Sequence, residues 1–282
     1  MSHDRGRADP SPQLDLFADG PFQDPPRDAA SARQTLAPRP AELDNASLVA
    51  AIPDTSLRTC RALCEEAARR QLESAVPALE ALCRRFAGFG AAHVIPEQEA
   101  ALAGLRVIGG PDAARAVARL IVGKIVIGPG MIGAAEAACA LGARLPAATA
   151  LILLRHPEPL VRAAACRLAG AGTEETAVLA DLLDDLHPPV AAAAACALGR
   201  RGRTEVRGVL LDLLRAAPSA EAIEAAAGVA DETILVTLGR VARARADLAG
   251  AVLAALEGLD DPLAAVIAES IRKRSGGGRT GP

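Results

Sequence analysis

A four-residue signature, Ala-Cys-x-Leu, occurs three times, at Cys139, Cys166 and Cys196, with intervals of 27 and 30 residues. Around the last two copies the register extends further. HPEPLVRAAACRLAGAG (156–172) lies over HPPVAAAAACALGRRG (187–202), so that Pro159/Pro189, Leu168/Leu198 and Gly172/Gly202 each differ by 30. Self-similarity at a period of 20 to 50 residues is the mark of stacked supersecondary units, each burying its face on the next. The unit here has room for two short helices: TEETAVLADLLDDLH then PPVAAAAACALGRRG, and again TEVRGVLLDLLRAAP then SAEAIEAAAGVAD. Composition agrees with helices. The chain is 51% hydrophobic yet has no Trp, no Tyr and only four Phe, so its core is built from Ala, Leu, Val and Ile. Ala and Leu are strong helix formers, whereas aromatic and β-branched residues dominate sheets. The expected fold class is all-α.

The segment HPEPLVRAAACRLAGAG resembles the HEAT-like repeat, in particular the short variety of phycobilisome-lyase-type proteins. Leu160, Val161, Arg162, Ala165, Leu168 and Gly172 carry the resemblance. The next copy keeps Pro189, Val190, Ala195, Leu198 and Gly199 but has Ala192 where Arg162 stood. The resemblance implies an α-solenoid of about six helical hairpins from Gln71 to Gly258, with helices near 43–70 before them and a final helix from Asp261 to Lys273. Chromophore-lyase activity does not carry over, because the repeat alone is matched and no lyase site aligns. The expected organisation is a disordered tail over 1–42, the solenoid over 43–275 and a flexible end over 276–282.

Inside the repeats, KIVIGPGMIGAAEAA (124–138) reads as an apolar run followed by Gly128-x-Gly130-x-x-Gly133, the pattern that lets a backbone approach a pyrophosphate at a helix N-terminus; Glu158 stands 30 residues past Gly128. Against a nucleotide-dependent oxidoreductase stand Pro129, which removes an N–H at the crowded turn, and the lack of further strands downstream. Cys139 and Leu141 also fit the repeat register. The expectation is a hairpin turn and no cofactor. Of the six cysteines, Cys60 and Cys64 share a helical face, Cys83 follows, and three belong to the repeats. With no CxxC pair they read as small buried thiols rather than metal ligands. His156 and His187 each precede a proline at a turn between helices, and neither belongs to a nucleophile, base and orienter set. No catalytic residue and no metal site is expected.

A net charge of −3 gives no general attraction to nucleic acid or anionic lipid. Basic residues are nonetheless clustered: Arg200, Arg201, Arg203 and Arg207 around one loop, Arg240, Arg243 and Arg245 around another, and Arg272, Lys273 and Arg274 near the end. The first two groups could align into a phosphate- or partner-binding stripe, giving weak, salt-sensitive contact with nucleic acid at most. The alternative is compensation of helix dipoles. A HEAT-repeat DNA glycosylase would also want aromatic residues to hold an unstacked base, which argues against that enzyme.

The amino-terminal stretch carries one apolar cluster, PQLDLFADG. Gln13, Leu14, Asp15, Leu16 and Phe17 resemble, at all five positions, the pentapeptide by which bacterial polymerases and repair factors dock on the replicative sliding clamp. The resemblance implies that Gln13 hydrogen-bonds at a pocket edge, Leu14 and Asp15 pass along the rim, and Leu16 and Phe17 fill the apolar pocket. Neither a signal peptide nor a membrane span is evident, so the expected location is cytoplasmic. Together these readings predict a non-enzymatic adaptor with protein partners, tethered to the sliding clamp. The alternative is a HEAT-repeat scaffold or assembly factor unrelated to DNA.

Overall fold

The computed structural model describes residues 39–277. Among the described residues every regular element is helical, with no strand. Two helices lead the array, α1 (Asn45–Ala51) and α2 (Leu57–Arg69). Six hairpins follow: α3 (Val76–Arg85) with α4 (Pro96–Ile108), α5 (Gly110–Val122) with α6 (Gly130–Ala140), and α7 (Ala147–Leu154) with α8 (Pro159–Leu168). The remaining three are α9 (Thr173–Asp181) with α10 (Pro188–Gly199), α11 (Arg207–Ala216) with α12 (Ala220–Ala227), and α13 (Glu232–Ala244) with α14 (Ala249–Glu257). Helix α15 (Pro262–Gly277) closes the series. The six hairpins between Gln71 and Gly258 and the closing helix are where the repeat register places them.

Helices begin and end for local reasons. Asp231 accepts a hydrogen bond from the Ile234 amide (2.9 Å) and Ser219 one from the Ala222 amide (3.1 Å), each satisfying a donor that the first turn leaves free. Proline stands in the first turn of α3, α4, α5, α8 and α10, where its missing N–H costs nothing. Helix α10 ends at Gly199, and the positive φ of 73° at Gly202 lets the Arg203 amide reach back to the Leu198 carbonyl (3.1 Å).

The hairpins pack in two layers. Even-numbered helices stack in succession from α2 to α14, while α3 on α5, α7 on α9, α11 on α13 and α13 on α15 form the second layer. Cys139, Cys166 and Cys196 occupy corresponding places near the ends of α6, α8 and α10, so the sequence repeat is a repeat in space. The core is aliphatic throughout. Leu79, Leu105, Leu120, Leu154, Leu198 and Leu210 are fully buried. Helix α10 lies against α8, α9, α11 and α12 and is buried on nearly every side, which accounts for its unbroken run of small residues from Ala191 to Ala197. Close approach is greatest between α10 and the end of α12: a Cβ on Gly228 would stand 2.4 Å from the Gly199 carbonyl oxygen, and one on Gly199 would stand 2.7 Å from that of Ala225. Glycine is required there by contact alone.

At the front of the array, Arg70 fixes the chain ahead of α1. Its guanidinium donates to the carbonyls of Leu43 (2.8 Å) and Ala41 (3.1 Å) while its Nε donates to Glu66 (2.6 Å). Between α3 and α4, the buried Gln98 amide donates to the carbonyls of Cys83 (3.1 Å) and Ile125 (3.2 Å), tying the ends of α3 and α5 to α4. No helix among the described residues is long and apolar enough to cross a membrane.

Candidate functional site

The pentapeptide Gln13, Leu14, Asp15, Leu16 and Phe17 lies outside the described residues. The glycine-rich turn lies within them, and its surroundings explain it. The segment 124–129 is a turn rather than a strand, and α6 starts at Gly130. At Gly128 a Cβ would come within 2.3 Å of the Gly90 carbonyl oxygen and 2.6 Å of that of Ala91. The residue is glycine because the loop ahead of α4 presses on it. Packing between two loops thus accounts for the first glycine of the dinucleotide pattern, and among the described residues no strand stands beside it.

The repeat cysteines line up on successive even helices but are held as thiols. Burial pushes Cys166 up to about 12 and Cys139 and Cys196 to about 11, and it raises Cys64 and Cys83 likewise to about 12. The Cys139 thiol donates to the Ala164 carbonyl at 3.2 Å, a contact between α6 and α8. Among the described residues no group of three or more His, Cys, Asp and Glu side chains is placed to hold a metal ion. His156 and His187 belong to turns. The His156 ring accepts the Glu158 amide at 3.1 Å, and His187 sits on Asp185, whose carboxylate chiefly serves Arg162. Arg162 donates from two nitrogens to Asp185 (2.8 and 3.0 Å) and to the carbonyls of His156 and Pro157. That guanidinium holds the Asp185 carboxyl down to about 2.

The structure spends the first arginine group on the array itself. Arg201 donates to the carbonyls that α8 leaves at its end, Ala169 (2.8 Å) and Gly170 (2.6 Å). Arg200 bonds Glu221 at 3.4 Å, and Glu221 also receives Arg167 at 3.0 Å, so one carboxylate on α12 draws on both α8 and α10. Arg203 pairs with Glu205, and Arg207 donates to the Val229 carbonyl at 2.9 Å. Arg240 and Arg243 are exposed on α13, in the other layer of helices from α10. These two therefore stand apart from Arg200 and Arg201, which close an even-layer helix.

What sequence inspection passes over lies nearer the amino terminus, around α4. Two grooves run along its exposed side and share Glu99 and Ala103 as their common wall. One, of about 400 Å³, is bordered by Leu57, Arg61, Ala100 and Val107 between α2 and α4. The other, of about 330 Å³, is bordered by Val94, Leu102, Ile132 and Gly133 between α4 and α6. Leu57 and Val107 are each more than half exposed. At the far end of α4, a separate cleft gathers Arg106, Arg115 and Arg144, residues spread across three elements and marked by no motif.

Comparison with known protein families, curated proteins and solved structures returns no match for this chain.

Proposed function

We propose that the chain is a non-enzymatic interaction adaptor: a HEAT-like helical array that is tethered to the bacterial replicative sliding clamp through Gln13–Phe17. The carrying observation is the agreement of the pentapeptide at all five positions, in a Pro- and Asp-rich segment ahead of the packed helices. Supporting it, the array has the character of a scaffold. Its buried thiols are not ionised at neutral pH, His156 and His187 are engaged in turns, and its grooves around α4 are apolar with charged edges.

Magnitudes are consistent with a reversible tether. Burying Leu14, Leu16 and Phe17 contributes roughly 1.5 to 3 kcal/mol each, and ordering the peptide on the clamp takes back roughly 2 to 5 kcal/mol. A dissociation constant of about 1 to tens of micromolar follows, as suits a clamp shared among clients. The test is fluorescence anisotropy of the clamp from the same organism with a peptide spanning Asp9 to Gln23, with its Leu16→Ala/Phe17→Ala form, and with the full chain. The substituted peptide should lose most binding, and the same substitutions in the full chain should leave its melting temperature unchanged. Absence of saturable binding by the unsubstituted peptide at several hundred micromolar, an order set by the expected affinity, would remove the clamp and leave a scaffold unrelated to DNA.

A further inference from the structure

We propose that the cleft where α4 ends, α5 begins and α6 ends binds a small phosphorylated anion. Three guanidinium groups, those of Arg106, Arg115 and Arg144, border this one concavity of about 640 Å³, and no carboxylate does. That volume falls in the range of sites for nucleotide-sized ligands. Arg106 and Arg144 are exposed and make no hydrogen bond or ion pair among the described residues, while Arg115 is matched only by Asp112 in its own helical turn. Their state contrasts with Arg162, Arg167, Arg200, Arg201, Arg203 and Arg207, all of which have partners in the fold.

The kind of ligand follows from charge and shape. Three cations offset by one nearby aspartate leave an excess that a single carboxylate would not neutralise but a phosphoryl or diphosphoryl group would. Arginine's planar fork matches phosphate oxygens two at a time, and it stays charged at any physiological pH. Between the arginines the wall is bare backbone: a Cβ at Gly109, Gly110 or Gly142 would meet nothing within 4 Å, so an anion can come close to the main chain there. The first turn of the 13-residue α5 faces the cleft through Gly110 and Pro111 and is capped by no side chain, which adds a favourable partial charge. Ala114, Ala118 and Leu141 supply an apolar bed for the rest of the molecule.

This site uses none of residues 13–17, so its test and that of the clamp tether fail independently. Calorimetry on the full chain with pyrophosphate and with ADP should show one saturable site for each. Arg106→Gln/Arg144→Gln should weaken binding by about a hundredfold, while Arg58→Gln/Arg274→Gln, removing the same charge elsewhere, should leave it within about twofold. Both pairs of positions are exposed, and neither variant should move the melting temperature by more than about 1 °C. No saturation with either probe up to about 10 mM, or an equal loss in the two variants, would overturn the proposal. A short DNA duplex that binds through Arg106 and Arg144 and is not displaced by pyrophosphate would also overturn it, replacing a small-anion site with a backbone-tracking surface.

Discussion

The stretch from α8 to α12 and the stretch from α4 to α6 are built from the same unit, yet their surfaces differ. In the first, each arginine from Arg162 to Arg207 meets a carboxylate or a helix-end carbonyl, and two glycines bring backbones into contact. In the second, Arg106 and Arg144 point into open space, grooves flank α4, and Gly133 has nothing within 4 Å of where its Cβ would be. One region pairs its arginines internally and the other leaves Arg106 and Arg144 unmatched. Because unmatched surface contributes little to folding, its persistence is the physical argument for placing ligands and partners there.

The widest separation between the two regions should appear on adding a methyl group. Gly228→Ala forces a carbon against the Gly199 carbonyl and should cost roughly 3 kcal/mol in urea unfolding, since neither backbone can yield. Next in size is Asp185→Asn. The Asp185 carboxyl is depressed to about 2 from an ordinary value of 3.8, so its contribution is complete above the ordinary value and is lost as pH falls through the depressed one. The substitution should therefore cost roughly 2 kcal/mol at neutral pH. The gap between variant and parent should narrow below pH ~4 and close near pH ~2, as read by denaturation midpoints across that range. An unchanged gap at low pH would mean that Arg162 is held by its carbonyl partners instead. The smallest effect has the opposite sign: Gly133→Ala in α6 relieves the entropic cost of a helical glycine without a clash and should raise stability by about 0.5 to 1 kcal/mol.

The hairpins and their register were legible in the sequence because a structural period leaves a chemical one: Ala-Cys-x-Leu recurs near the ends of α6, α8 and α10, three successive helices of one layer. The reason for Gly128 was not, since the Gly90 carbonyl that demands it belongs to a loop far back in the chain. The partners of the clustered arginines were hidden for a similar reason. Arg200, Arg201, Arg203 and Arg207 are close in sequence and so looked like one surface, but nothing in their spacing reveals that Ala169, Gly170, Glu221 and Val229 receive them. Arg106, Arg115 and Arg144 are each unremarked in their own segments and meet only because three helix ends do. The pentapeptide is the reverse case, a signal carried wholly by local sequence.

The bond from Arg167 to Glu221 has a mechanical consequence. Most contacts in a helical array join adjacent units, so a chain pulled from its carboxyl end should peel one hairpin at a time in steps of similar force. Here α12 is fastened to α8 as well as to α10, across the intervening unit. Peeling should therefore proceed evenly through α14 and α13 and then stall. The hairpins carrying α8, α10 and α12 should give way together, as one larger step in extension.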